Sequence, residues 1–374
     1  MPPLRIGVNA LYLIPGGVGG TEIYLRSLLT GLAAVDATNE YFIFANEETD
    51  AGLAPPAPNF HLVRTPVRAV NRPARIIWEQ LRLPAAVHRE RIDVLFNPGF
   101  TAPASCRCPA VTVFHDLQHK RHPEYFRRWD LPFWNLFLGQ SARTSKRLIA
   151  VSRATAADLE LFYPGTAEKT RVVYHGVDER LRAIRPRRAP ERFLLCVSTL
   201  HPHKNLDRLV RVYASFRRSF PDYTLVLAGM KGFHTGPVER LVETLGLTGS
   251  LRITGWIPRE ELYDLYRRAW AFVYPSTFEG FGMPVLEALA AGLPVACSSI
   301  APLAEVAGGC AVVFDPEDER GMLAALSEVT ADAGVRARLS AGGAARAEGF
   351  SWAKCARETL GVLQETADNV PASG

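Results

Sequence analysis

The chain has no apolar run near the eighteen or so residues that a bilayer-crossing helix needs, although 48% of its 374 residues are hydrophobic. Cysteine is sparse: there are six, and only Cys106 and Cys108 stand close together. Cys-x-Cys lacks the spacing of a zinc site and has no partner pair. No metal is therefore expected, and the thiols are read as reduced. The opening residues, MPPLRIGVNA, lack the basic leader and long apolar stretch of a signal peptide and read as a first strand. A dinucleotide fingerprint is missing too. Gly17-x-Gly19 would need a third glycine at position 22, where Glu22 stands, which disfavours an NAD oxidoreductase. Internal repeats and low-complexity tracts are absent. These gaps leave a cytoplasmic α/β protein as the expectation.

Lysine is also scarce, 6 against 37 arginines, within a net charge of +5. Residues 1–185 hold 23 Lys+Arg against 17 Asp+Glu, and residues 186–374 hold 20 against 21. The excess is densest at Arg64, Arg68, Arg72, Arg75, Arg82, Arg89 and Arg91. There it alternates with Val67, Val70, Ile76, Ile77, Trp78 and Leu81. Such a stripe suits an anionic membrane surface, which would make residues 64–91 a peripheral contact at the inner membrane face. An ordinary helix with its apolar face in the core fits equally well. Nucleic acid is not expected as a partner.

Short apolar, β-rich runs alternate with helical patterns along both halves. The runs are Leu4–Asn9, Tyr41–Ala45, Phe60–Val63, Val94–Phe96, Val111–Phe114, Leu148–Val151 and Val172–Tyr174. They continue with Phe193–Val197, Thr224–Ala228, Leu251–Thr254, Ala271–Tyr274, Pro294–Cys297 and Ala311–Phe314. Continuous apolar strands between helices imply parallel sheets covered on both faces. The charged, proline-bearing stretch from Arg180 to Glu191 reads as a linker. Two doubly wound, Rossmann-like domains follow, 1–185 and 186–350, with parallel sheets facing a central cleft. Ligands of such sheets sit beyond the strands' carboxyl ends.

The densest chemistry runs from Pro275 to Pro294, PSTFEGFGMPVLEALAAGLP. Pro284 suits a first helical turn, Gly292 the position just past a helix end, and Pro294 a stop. Glu279 then lies in a loop and Glu287 in a helix. A ligand across the helix N-terminus would meet exposed N–H groups at Gly282, Met283 and Val285, which favour an anion such as pyrophosphate. Carboxylates to either side would accept from sugar hydroxyls. A nucleotide sugar has hydroxyls at both ends and phosphate between.

This stretch resembles the donor-site motif of glycosyltransferase family 4, retaining enzymes of the GT-B fold. The resemblance covers nearly the whole chain, with the specific motifs in the second half. It implies that Glu279 meets the transferred sugar and Glu287 the ribose. His115, after the strand Val111–Phe114, would meet the donor sugar as a catalytic residue; Asp116 would cap the turn. Lys204, in VSTLHPHKNL, would neutralise phosphate, with Asn205 as a helix N-cap. Many relatives carry arginine five residues before this lysine, where this chain has Thr199. His201, His203 or a distant arginine would have to compensate. The loop TGWIPREEL would hold the base near Ile257, and Gly16 and Gly17, in a glycine loop before a helix, would contact the donor phosphates. The resemblance also implies a terminal helix, 351–366, that returns to the first domain.

Arg75-I-I-W-E-Q-L-R-L-Pro84 resembles a segment of bacterial enzymes that build surface polysaccharides, often mannosyltransferases. The expected function is transfer of a sugar, mannose from GDP-mannose, to a glycan or lipid-linked acceptor without metal or other cofactor. A sugar-nucleotide epimerase of the same fold, or a binding protein that has lost its acceptor site, stays open as an alternative.

Overall fold

In the computed structural model, the described residues are 3–16, 19–184, 190–232 and 234–368. They form two compact units. The first comprises residues 1–176 with 352–374, and the second residues 177–351.

The first unit is built on a parallel sheet of seven strands: β1 (Arg5–Ala10), β2 (Glu40–Ala45), β3 (Phe60–Arg64), β4 (Val94–Asn97), β5 (Ala110–Phe114), β6 (Arg147–Ala150) and β7 (Thr170–Val172). Their order is β3-β2-β1-β4-β5-β6-β7. β1, β2, β4 and β5 are buried along nearly their whole length, as both-face coverage requires. β7 begins at Thr170 rather than at the expected Val172; Val173 N–H still bonds the Ala150 carbonyl just past the strand.

Helix Gly20–Val35 lays Leu25, Leu28, Leu29 and Leu32 into the core, at the 3- and 4-residue spacing of one helical face. Helix Trp352–Asp368 packs against it. The contact is so close that a Cβ on Gly31 would lie 2.8 Å from the Trp352 carbonyl oxygen. Glu365 on the same helix accepts from Arg147 and Arg171 beside the sheet.

The second unit has six parallel strands: β8 (Phe193–Val197), β9 (Thr224–Ala228), β10 (Leu251–Gly255), β11 (Ala271–Tyr274), β12 (Val295–Ser298) and β13 (Val312–Phe314). The order is β10-β9-β8-β11-β12-β13. This unit begins at Val177, earlier than the expected 186. Val177 pairs with Ser351, and Asp178 accepts from Tyr263 at 2.5 Å. Residues 179–182 form a helical turn within the unit rather than a linker; 185–189 of that stretch lie outside the described residues. Strand order reverses at β1/β4 in one sheet and at β8/β11 in the other. These are the switch points where doubly wound sheets open a crevice beyond their strand ends.

Candidate active site

In the second unit, β8 and β11 run side by side and each delivers one charge just past its carboxyl end. Lys204 follows β8 and Glu279 follows β11. Lys204 Nζ donates to Glu279 Oε1 at 2.6 Å. The Tyr274 hydroxyl, on the last residue of β11, donates to the same oxygen at 2.8 Å. Both charged side chains are only 13% exposed. Burial pushes the Glu279 carboxyl up, but the Lys204 ammonium, its hydrogen bond and nearby His203 outweigh this and hold it below the usual carboxylate range. The result is a compact, ionised pair aimed at the switch point. Asn205 stands at the expected N-cap position of helix Leu206–Phe216, but its side chain makes no capping bond. It adopts a left-handed conformation (φ 56°), and its amide donates to the Pro275 and Pro316 carbonyls, tying together the loops that carry Lys204 and Glu279.

The loop after Glu279 turns into helix Met283–Ala290 through Gly282. Gly282 has φ 109°, and a Cβ there would meet Leu303 Cδ2 at 2.4 Å, so glycine is required twice over. Pro284 sits in the first turn. The helix ends in paired bonds, Leu293 N–H to the Ala288 carbonyl and Gly292 N–H to the Leu289 carbonyl, which satisfy its last acceptors. At the N-terminus one expectation narrows. Val285 is buried and its N–H already bonds the Gly282 carbonyl at 3.0 Å. Pro284 has no N–H, which leaves the Gly282 and Met283 amides of the expected set to face an anion.

Glu287 lies one turn further along. It is 7% exposed and accepts from the Tyr266 hydroxyl at 3.0 Å, with Arg259 Nη2 4.0 Å from its other oxygen. Burial raises its pKa, and Arg259 offsets only part of that. Thr199 and Ile257, half-buried, stand at the ends of β8 and β10. His201 and His203 stack near-parallel, ring centroids 5.9 Å apart, beside Lys204. Tyr274, Tyr266 and Arg259 were not singled out from the sequence. The signal for Tyr274 was a hydroxyl-bearing aromatic at the last position of an apolar strand.

In the first unit, His115 follows β5 and is 8% exposed. Its Nε2 donates to the Pro98 carbonyl at 2.8 Å, which leaves Nδ1 as the acceptor. Tyr24, Phe100 and His175 pack around the ring with centroids 4.8, 5.2 and 5.7 Å away. Burial pushes His115 down to about 4, so the ring is neutral at pH 7. Asp116 accepts from the Gln118 N–H, closing the turn.

The glycine loop does not offer the expected open cradle. The Gly16 amide is bonded to the Glu22 carboxylate at 2.7 Å, and Glu22 is held in turn by Arg26. Gly17 lies outside the described residues. At the β1/β4 switch point, Asn9 joins Asn97 and Glu79 by hydrogen bonds of 3.1 and 3.3 Å, and Thr101 donates to Glu79 at 3.0 Å. Arg75 stands 3.9 Å from the Glu79 carboxylate. Arg75 therefore turns inward, with Val67 and Ile76, whereas Val70, Ile77 and Leu81 face solvent. The stripe at 64–91 is a helix pair, Arg72–Leu81 and Leu83–Arg89, whose charges are split between a buried ion pair and the surface.

Residues 18–181 match the family model for glycosyltransferase family 4, and residues 177–346 that for glycosyl transferases group 1. The O-antigen chain mannosyltransferase B of Escherichia coli is 32% identical over 288 residues, covering 74% of this chain and 75% of that protein. This chain belongs to glycosyltransferase family 4. An MMP alpha-(1->4)-mannosyltransferase of Mycolicibacterium hassiacum is 31% identical over 70% of the chain and 66% of its own length. Among solved structures, HepE of Anabaena, in complex with UDP and glucose, superposes with a TM-score of 0.76 over 97% of this chain and 100% of its own, at 18% identity. WaaG, a glycosyltransferase of lipopolysaccharide biosynthesis, gives 0.74 over 96% and 99%, at 17% identity. The two parallel-sheet units are thus those of a GT-B glycosyltransferase.

Proposed function

We propose that this glycosyltransferase moves mannose from GDP-mannose, with retention of configuration and without a metal ion, to a glycan or lipid-linked acceptor in surface polysaccharide synthesis. The observation that carries the reading is the buried Lys204–Glu279–Tyr274 cluster beside the Gly282-capped helix, at the switch point of the second sheet. The mannosyltransferase names of its relatives in E. coli and M. hassiacum support the sugar.

In this reading the second unit holds the donor and the first the acceptor. Lys204 and the Met283 amide stabilise the departing diphosphate, as preorganised donors do for developing anionic charge. Glu279, kept ionised by Lys204, accepts from hydroxyls of the sugar and faces the positive charge that develops on it. Glu287, within reach of Arg259 and Tyr266, holds the ribose. His115, neutral and with Nε2 fixed on the Pro98 carbonyl, offers Nδ1 as an acceptor for a sugar hydroxyl. Ile257 and Thr199 flank the nucleotide.

Peripheral membrane contact through residues 64–91 belongs to the same reading. Helix Leu131–Thr144 lies alongside that segment: Arg72 stacks on Phe133 and Trp134, and Gln140 donates to Gln80. Leu81 and Trp129 are 70% and 93% exposed, beside the exposed Arg82, Arg127 and Arg128. Apolar tips among arginines suit an anionic lipid surface.

The test is incubation of the purified protein with GDP-, UDP-, ADP- and dTDP-sugars, read first as a rise in melting temperature. Acceptor-dependent release of nucleoside diphosphate is read next, in the presence of a chelator. Stabilisation by GDP-mannose alone, and a product whose anomeric configuration matches the donor, are expected. A product of inverted configuration, or activity lost in chelator and restored by magnesium, would overturn the assignment. Glu279→Ala should lower turnover about 10²–10³-fold while donor affinity changes far less; near-normal turnover would remove Glu279 from the chemistry.

A further inference from the structure

The β4–β5 connection carries chemistry that the transferase reading does not use. Cys106 and Cys108 are both half-buried, with their Sγ atoms 3.6 Å apart. Either sulfur can donate to the other, and the backbone N–H groups of Arg107 and Cys108 lie on the Cys106 side. These neighbours favour the thiolate at Cys106. The hydrogen bond with Cys108 leads this effect, and Cys106 is brought down to about 7 while Cys108 is pushed up. Cys196, Cys297 and Cys355 behave oppositely, since burial raises each to about 12.

The two sulfurs border a cavity of about 680 Å³ that Arg107, Arg143, Lys146 and Lys169 also line. It opens at the amino ends of β5, β6 and β7, the opposite edge of the sheet from His115. Neighbouring groups add to the local charge. His88 Nε2 lies 3.2 Å from the Arg107 guanidinium, Asp93 acts on Cys108, and Lys169 Nζ donates to the Arg143 and Ser145 carbonyls. The rim is cationic.

We propose that Cys106 and Cys108 form a redox-active dithiol that reacts with anionic low-molecular-weight disulfides and closes to an intramolecular disulfide. The Cys106 thiolate attacks one sulfur of the incoming disulfide, forming a mixed disulfide and releasing a thiolate. Cys108, losing its proton to that leaving thiolate, attacks the Cys106 sulfur and expels the second thiolate, which takes a proton from water. The two protein thiols are oxidised by two electrons and the small disulfide is reduced to two thiols. The cationic rim draws in a carboxylate-bearing disulfide, and the 3.6 Å separation puts the resolving thiol in place before the first step.

Glutathione disulfide is the probe. The reduced full-length protein is exposed to it, quenched, alkylated and mapped by peptide mass spectrometry. A Cys106–Cys108 link is expected in the wild type, and a stable glutathione adduct confined to Cys106 in Cys108→Ser. Cys106→Ser should leave Cys108 unmodified over the same interval. The iodoacetamide rate at Cys106, measured in Cys108→Ala and in the wild type, should reach half its maximum near pH 7 in the wild type only. An ordinary thiol does so at about 8.5. Partly exposed Cys310 serves as the internal control. Modification of Cys310 ahead of Cys106, or no 106–108 link in the wild type, would overturn the proposal.

Discussion

Removing the Lys204 ammonium should destabilise the second unit by an amount that depends on pH in a defined direction. Lys204 and Glu279 are 2.6 Å apart and nearly buried. Deleting one partner of a buried pair costs about 3–5 kcal/mol, because the other charge is left without compensation. In Lys204→Ala, Tyr274 still donates to Glu279 and the carboxyl can escape by taking up a proton. The lower end of the range, about 3 kcal/mol at pH 8, is therefore expected. At roughly 2–4 °C per kcal/mol for a unit of this size, the melting temperature should fall by about 6–12 °C.

The pH dependence separates this cause from simple loss of packing. In the wild type, Glu279 has a depressed pKa. Its contribution is present above the unfolded value of about 4.3 and is lost as pH falls through the folded one. In the variant the ammonium is gone and burial dominates, so the folded pKa rises above the unfolded one. The penalty is then fullest at high pH and relaxes as pH falls through that raised value. The gap between wild type and variant should narrow from pH 8 to pH 5. Glu279→Gln added to Lys204→Ala should recover much of the loss at pH 8. Calorimetric scans of the three proteins from pH 5 to 8 would decide. A gap of constant size across that range, or a double variant as unstable as the single one, would refute the electrostatic account.

Three further outcomes follow from the geometry. Gly282→Ala must hold a side chain at φ 109° against Leu303, and backbone strain of that kind costs about 1–3 kcal/mol; a melting temperature within 1 °C of wild type, by that same rough scaling, would contradict it. His115 is neutral when folded, with its pKa lowered to about 4. Protonation therefore favours the unfolded state, and its stability contribution should erode as pH drops from about 6.5 toward 4; a His115 imidazole titrating near 6.5 by NMR would count against the burial argument. Binding to anionic but not neutral liposomes at low salt is expected of the wild type and should weaken in Trp129→Ser and Leu81→Glu; equal binding to both lipids would remove the membrane contact.

Much of the architecture was legible because parallel strands buried on both faces are written as continuous apolar runs, and thirteen such runs could be marked between helical patterns. The glycines and prolines around Met283–Ala290 bounded that helix for the same reason: each needs a backbone state few other residues accept. What escaped was long-range pairing. Nothing local to Lys204 says that its ammonium reaches a carboxylate 75 positions away, so the sequence marked a phosphate cation without showing its partner Glu279. The Gly16 loop read as an anion cradle because glycine signals an exposed amide, but Glu22, six residues on, already takes that amide.

The arginine stripe shows the same limit from the other side. Spacing alone could not tell Arg75, which turns inward beside Glu79, from Arg82, which faces water. Arg75 and Glu79 are four apart on one helix, the spacing of a solvated surface pair that contributes only a few tenths of a kcal/mol. Here Asn9 and Thr101, arriving from the ends of β1 and after β4, bury the carboxylate and satisfy it. Identical spacing thus has two energetic meanings, and the strand ends decide between them. A charge pair roofed by polar side chains at a switch point is costly to bury. Its burial behind the ends of β1 and β4, rather than its helical spacing, therefore decides what Arg75→Ala would cost: Glu79, 1% exposed, would be left without its cation.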